Sequence, residues 1–329
     1  MSKARAWAGQ RVLVTGGLGF IGSSVTVRLA EAGAHVTVLD ALLPEYGGNR
    51  YNVASVADRI QIVVGDVRDQ PLVSSLVEGQ DLVFHFAAQV SYLDSMKDPL
   101  LDLDISLKGT LNILEECRRV NPTVRVVSIG SRMQFGRVER LPVDESHSMK
   151  PQSFYALHKL TAEHYCRLYH EAFGLWTAWL RLSNPFGPRQ QIKHSKYGIV
   201  NWFVRLALEG QPLTVFGDGA QARDYFYIDD AVEAFLAGAM HDGPGGEAFN
   251  IGGSEPISFK TMAETIAQVT GARVEYVPWP SAWKLVETGD YVTDIRKARR
   301  LLGWAPKVPF EDGIRRTVEY YRAAFDHYA

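Results

Sequence analysis

Tyr155 and Lys159, in the stretch FYALHK, stand four residues apart, a spacing that sets both side chains on one face of a helix. An ammonium beside a phenol favours the phenolate. The pair therefore predicts a tyrosine whose pKa falls from its ordinary value of about 10 toward a range useful for proton transfer near neutral pH. Ser131, which closes the apolar run VRVVSIGS, is placed to hydrogen-bond the same substrate oxygen. Tyrosine and lysine at this spacing are also common as plain surface pairs on helices, so the pattern takes its meaning from what precedes it.

What precedes it is VTGGLGFIG, with Gly16, Gly19 and Gly22 at three-residue spacing and Phe20 and Ile21 between the last two. One glycine permits a tight turn, another lets backbone N–H groups approach a pyrophosphate, and the last lets helix and strand pack closely. The helix N-terminus then presents positive charge to the phosphates. This loop is one residue longer than the G-x-G-x-x-G form. Asp40 ends the next apolar run, where a carboxylate can accept hydrogen bonds from a ribose 2′-hydroxyl. No Arg or Lys immediately follows Asp40, so a 2′-phosphate would be repelled and NAD is favoured over NADP.

The elements that must position these groups alternate. RVLVTGG from Arg11 reads as a buried strand, 19–32 as a helix, and 35–40, 60–66, 81–88 and 124–131 as further strands, with a helix over 103–120 ending at Asn121-Pro122. Continuous Val/Ile/Leu runs suit strands buried on both faces, which predicts an α/β fold with a doubly wound parallel sheet of the Rossmann type. From about Pro185 the rhythm changes to a Pro-, Gly- and Lys-rich segment. Helices are expected over 199–209, 258–270 and 310–325, with a strand over 248–253. The expected division is a dinucleotide-binding domain of residues 1–184 and 224–255, and a smaller, mostly α C-terminal substrate lobe of 185–223 and 256–329.

With these motifs in place, the chain resembles the extended short-chain dehydrogenase/reductases, specifically the NAD-dependent nucleotide-sugar epimerase/dehydratase family. TGGLGFIG, GDVRD, HFAAQVS, KGTLNILE, SIGSRMQFG, YALHK, RLSNPFGPRQ, GDGAQARDYFYIDD, FNIGG and TGDYVTD carry the resemblance, in the family's order and over nearly the whole length. It implies that Gly16, Gly19, Phe20, Ile21, Gly22 and Asp40 hold NAD together with Tyr155 and Lys159. Asp66 and Val67 would flank the adenine, and Ala87 and Ala88 the nicotinamide. It further implies Ser131, Tyr155 and Lys159 as the catalytic triad. Gln89, Ser91, Arg132, Met133 and Asn184 would lie about the substrate, and Arg223 would grip its diphosphate. Homodimerisation through helices around 103–120 and 155–173 follows from the same resemblance.

Three departures from the family's pattern stand out, at four positions. Ser106 stands where an Asn is common. Arg132 and Met133 replace the Asp-Glu pair with which 4,6-dehydratases remove a proton and expel water, which disfavours that branch. Glu287 replaces an arginine of the late motif, so either Lys193, Lys196 or Arg189 compensates at the diphosphate or the phosphates bind differently.

Other features point to no further chemistry. A formal net charge of −2, from 35 basic and 37 acidic residues, gives no field that would attract nucleic acid or an anionic membrane. No segment has the roughly 20 apolar residues of a membrane span. The N-terminal apolar run is only RVLV, too short for a signal peptide. The two cysteines, Cys117 and Cys166, have no metal-ligand spacing and suit a reducing cytoplasm. His158, His164 and His170 recur six apart, which turns them to different helix faces, so surface or interface positions are expected and no metal site. The tryptophans read as core, with Trp202 or Phe203 as possible borders of a base, and RKARR as a solvated helix face.

The expected function is epimerisation of a nucleoside-diphosphate sugar at C4 through a transient 4-keto intermediate, with Tyr155 as acid and base. A nucleotide-sugar decarboxylase or 4-ketoreductase would share the triad, and a non-catalytic dinucleotide sensor would share the fold. Arg132, near the triad, suits a substrate carboxylate or hydroxyl, which brings a uronic acid into view.

Overall fold

The computed structural model describes residues 7–43, 46–253, 255–279 and 289–329. Seven strands form one fully parallel sheet: β1 (Arg11–Thr15), β2 (His35–Asp40), β3 (Ile60–Val64), β4 (Leu82–His85), β5 (Arg125–Ser131), β6 (Trp176–Leu182) and, arriving last, Glu247–Ile251. In space the order is Glu247–Ile251, β6, β5, β4, β1, β2, β3. The chain thus winds outward from β1 to β3, returns past β1, and winds outward again from β4. Connections at the carboxyl ends of β1 and β4 diverge and leave a crevice between them.

The strands are apolar on both faces because helices cover both. Val12 and Val14 of β1 belong to one core layer with Val25, Leu29 and Phe235, while Leu13 belongs to the opposite layer with Val73, Ile113 and Cys117. Helices Phe20–Glu31 and Ile228–Ala239 supply the first layer, and Gln70–Val77, Gly109–Val120 and Phe154–Phe173 the second. Each fully buried Val or Leu contributes roughly 1.5–3 kcal/mol, so β1, buried from Val12 to Thr15, is firmly held.

Several boundaries differ from the sequence reading, and the differences shape the crevice. The strands expected over 60–66 and 81–88 end at Val64 and His85. Residues Gly65–Val67 and Phe86–Ala88 leave the ladder and line the cavity instead. The single helix expected over 103–120 is interrupted by a π-helical turn, Leu103–Lys108, between Pro99–Asp102 and Gly109–Val120. In that wider turn the Thr110 hydroxyl donates to the Ser106 carbonyl at 2.6 Å, and the Ser106 hydroxyl accepts from the Gln89 amide at 3.2 Å. Strand β6 and helices Gln70–Val77 and Ile228–Ala239 were not anticipated.

Beyond Pro185 the lobe is mostly helical, with Ile199–Leu208, Phe259–Thr270 and Phe310–Ala324 packed through Val200, Phe203, Met262, Ile266, Ile314 and Tyr321. A parallel strand pair, Leu213–Phe216 with Val274–Val277, adds a small sheet that periodicity did not reveal. Among the described residues no helix is long and apolar enough to cross a membrane.

Candidate active site

A cavity of about 400 Å³ opens at the carboxyl edge of the sheet, and the glycine turn forms its floor. Gly16 adopts a left-handed φ of +67°, and a Cβ there would lie 2.8 Å from the Ala87 amide nitrogen. At Gly22 a Cβ would lie 2.1 Å from the Gly16 carbonyl oxygen, so no side chain fits without moving the turn. Helix Phe20–Glu31 starts from Gly19 with no side-chain cap, which leaves its first N–H groups to face the cavity. A diphosphate can therefore come against backbone donors that nothing else in the helix satisfies.

Asp40 ends β2 on the same wall. Its carboxylate accepts from the amides of Leu18 at 3.0 Å and Leu42 at 2.9 Å, yet burial outweighs both and pushes its pKa up. Two amides fill only part of a carboxylate's acceptor capacity, so a ribose hydroxyl can still be received. Asp66 and Val67 follow on the wall. Arg68 grips Asp66 at 2.6 and 2.9 Å and holds its carboxyl below the usual range. Ala87 and Ala88 also line the cavity, with the Ala87 amide donating to Thr15 Oγ1 at 3.2 Å.

Ser131, Tyr155 and Lys159 converge on the opposite wall. Ser131 closes β5 and caps the following turn, its hydroxyl accepting from the Met133 amide at 3.2 Å. Helix Phe154–Phe173 is capped by Ser153, and its first turn is fixed where the Tyr155 amide donates to Ser95 Oγ at 3.0 Å. One turn on, Lys159 Nζ donates to the Ile129 carbonyl at 3.0 Å.

The electrostatics here correct the sequence expectation. Tyr155 is pushed up to about 12, not down: burial dominates, a hydrogen bond with Ser131 partly offsets it, and Asp102 adds to the rise. Lys159 is itself pushed down to about 8 by burial. Each group loses hydration on its charged form, and that loss outweighs the Ser131 hydrogen bond at the phenol and the Asp102 charge near the ammonium.

Of the residues expected about the substrate, Arg132, Met133 and Asn184 line the cavity. Gln89 and Ser91 do not. The Gln89 amide group is closed onto the Ser91 backbone at 2.8 and 2.6 Å, and the Ser91 hydroxyl caps helix Tyr92–Lys97 by accepting from Asp94 N at 3.1 Å. Arg223 also stands off the wall, its Nη1 donating to the carbonyls of Ala222 at 2.8 Å and Gly289 at 2.7 Å. Of the three cations weighed against Glu287, only Lys196 reaches the cavity, where it pairs with Asp94 at 3.0 Å. Glu287 itself lies outside the described residues. Trp202 and Phe203 belong to the core of the lobe and do not line the cavity.

Sequence reasoning passed over several wall residues, among them Tyr46, Tyr92, Gln190 and Tyr225. The turn-rich composition of RLSNPFGPRQQ was the only local signal for Gln190. It also missed a buried polar chain behind the wall. His158, expected at a surface or an interface, is buried within the chain and bonds Asp102 through Nδ1. His85 bridges Thr15 at 2.8 Å and Thr110 at 3.1 Å, and burial pushes it down to about 3, so it is neutral. Among the described residues no cluster of His, Cys, Asp or Glu is arranged to hold a metal.

Comparison with known proteins gives the same frame. The family model described as GDP-mannose 4,6 dehydratase matches residues 13–317. UDP-glucose 4-epimerase of Mycolicibacterium smegmatis is 34% identical over 315 residues, covering 95% of this chain and 98% of that protein. A dTDP-glucose 4,6-dehydratase of Streptomyces niveus is 32% identical over 326 residues, covering 95% and 93%. Among solved structures, the Thermus thermophilus UDP-glucose 4-epimerase complex with NAD superposes with a TM-score of 0.83 at 34% identity, covering 96% of this chain and 100% of that one. With the glycine turn, Asp40 and the Ser–Tyr–Lys wall in one crevice, the chain belongs to the GDP-mannose 4,6-dehydratase family, within the extended short-chain dehydrogenase/reductases that include nucleotide-sugar epimerases and dehydratases.

Proposed function

We propose that this chain is an NAD-dependent epimerase of a nucleoside-diphosphate sugar that inverts C4 through a transient 4-keto sugar. One observation carries the reading: Tyr155, Ser131 and Lys159 share a single cavity with Gly16, Gly19, Gly22 and Asp40. The glycine turn is a cradle that any Cβ at position 22 would obstruct, and the adjacent carboxylate suits a ribose, so the residues fit NAD. Bound there, NAD supplies a reversible hydride acceptor.

The chain's own groups do the rest. Ser131 Oγ holds the sugar oxygen, and Tyr155 Oη takes its proton as the carbon is oxidised and returns it after the flat ketone has turned over. Burial holds the Tyr155 proton in place at neutral pH in the ligand-free site, and the Ser131 hydroxyl is the group that eases its release. Arg132 and Met133 provide no carboxylate for expelling water, which favours epimerisation over the dehydration performed by some relatives.

The remaining assignments belong to the same proposal. Arg223, off the cavity wall in this state, would turn to the diphosphate. A homodimer would form through the helices around 103–120 and 155–173, which expose Leu103, Leu157, Leu168 and Phe173. The free, buried thiols of Cys117 and Cys166 suit a cytoplasmic location.

The test is turnover of a panel of UDP-hexoses by purified protein with no added NAD. Interconversion of C4 epimers with no net redox change supports the reading. Strict dependence on added reductant, consumed one for one, replaces it with a reductase.

A further inference from the structure

We propose that the sugar taken by this site carries a carboxylate, and that the Arg132 guanidinium binds it. The inference rests on the reading of the cavity as a nucleotide-sugar site and adds the chemical class of the sugar.

Arg132 follows Ser131 directly and lines the cavity beside it. A guanidinium has five N–H donors, and here only Nε finds a protein acceptor among the described residues, Asn184 Oδ1 at 3.2 Å. The guanidinium lies over the Tyr291 ring, 5.2 Å from its centre, which orients the plane without consuming a donor. No carboxylate among the described residues lies within the 4.0 Å of an ion pair with it. Among the described residues nothing competes with an entering ligand for the Nη groups.

The nearest acid cannot serve instead. Asp224 is fully buried, and its two carboxylate oxygens accept from Asn184 Nδ2 at 3.3 Å and the Thr293 amide at 3.1 Å. Burial pushes Asp224 up to about 6, and Arg223 adds a second positive charge nearby. Among the described residues that act on Arg132, the Arg223 cation thus stands beside the Asp224 carboxylate. Burial and Arg223 both disfavour the charge on Arg132, a penalty that an entering carboxylate relieves and a hydroxyl does not. A planar fork also matches a carboxylate through two parallel hydrogen bonds. The place is chemically consistent: Arg132 lines the same cavity as Ser131, and a hexuronate carries its carboxylate on C5, next to the reacting C4.

The experiment is calorimetric titration of the NAD-loaded protein with UDP-glucuronate, UDP-glucose and UDP, in wild type, Arg132→Ala and Arg132→Gln, with Tm recorded for each. Wild type is expected to bind the uronate about 10- to 100-fold more tightly than the neutral sugar, the span of a hydrogen-bonded charge pair. In both variants that ratio should collapse toward one, with Tm no lower than wild type and UDP affected least. Equal binding of the two sugars by wild type overturns the proposal. So does an equal loss for all three ligands, since that places Arg132 on the diphosphate. Interconversion of neutral UDP-hexoses without preference for uronates would sink this proposal and leave the epimerase reading standing. A retained uronate ratio without any epimerisation would do the reverse.

Discussion

Lys159 Nζ donates to the Ile129 carbonyl at 3.0 Å, which ties the first turns of helix Phe154–Phe173 to β5 two residues before Ser131. The bond sets the spacing between the Ser131 hydroxyl and the Tyr155 phenol, and it holds a buried ammonium that forms no ion pair among the described residues, with Asp102 acting on it only through its charge. Its energetic signature is a dependence on pH. Folded, Lys159 titrates at about 8; its ordinary value is 10.5. Below pH 8 both states carry the proton and the burial penalty is felt in full. Between about 8 and 10.5 the unfolded chain alone binds it, so this residue's contribution makes stability rise with pH. Lys159→Met should therefore be more stable than wild type at pH 7, and the gap should narrow across that window in urea titrations. A gap that stays constant from pH 7 to 10 would count against the assignment.

Tyr155→Phe removes the proton carrier and little else. Turnover should fall by about 10²- to 10⁴-fold, the usual worth of a positioned acid–base group. NAD content, read by absorbance after acid release, should stay within twofold of wild type, roughly 0.4 kcal/mol at most. Loss of bound NAD in step with activity would mean the phenol serves binding instead.

Gly22→Ala places a methyl 2.1 Å from the Gly16 carbonyl oxygen, a contact that only movement of the turn relieves. Overpacking of this kind costs about 1–3 kcal/mol. The variant should melt several degrees lower and purify with substoichiometric NAD. Wild-type Tm together with full occupancy would show that the turn gives way more easily than its geometry indicates.

Asp40→Ser shortens the acceptor at the end of β2 and removes its charge. Affinity for NAD should drop about 10- to 100-fold, as expected for losing a charged hydrogen-bond acceptor. NADP should lose far less, so the ratio of the two dissociation constants, from fluorescence titration of stripped protein, is the informative quantity. An unchanged ratio would remove Asp40 from the ribose.

His158→Ala leaves the buried Asp102 carboxylate with Ser106 Oγ at 3.5 Å as its remaining side-chain donor among the described residues. Stability should fall by about 1–3 kcal/mol, the penalty for an unsatisfied buried acceptor. Adding Asp102→Asn should recover part of it, and strictly additive losses in the double variant would argue against direct coupling.

The glycine turn, Asp40 and the Tyr155–Lys159 pair were legible from the chain because each is a local pattern: a turn between strand and helix, a strand end, one helix face. What escaped depends on distant partners. The rise of the Tyr155 pKa reflects how deeply the fold buries the phenol, which a helical spacing does not convey. Asp102 and His158 are 56 residues apart and meet only when their helices dock. Gln89 and Ser91 carry the right chemistry, but the backbone between them folds so that each satisfies local groups. The π turn at Leu103–Lys108 escaped because its apolar positions still suit an α-helix, and β6 because WTAWLRL mixes aromatic, polar and aliphatic positions.

The strand beside β6 is made of residues 247–251, roughly 65 positions after β6 itself ends. Until those residues leave the ribosome, Leu180 and Trp179 present an unzipped hydrogen-bonding edge on a nascent chain whose cofactor half is otherwise fully synthesised. A fragment truncated after residue 184 should accordingly aggregate, whereas a circular permutant that delivers 247–251 early should fold sooner during translation.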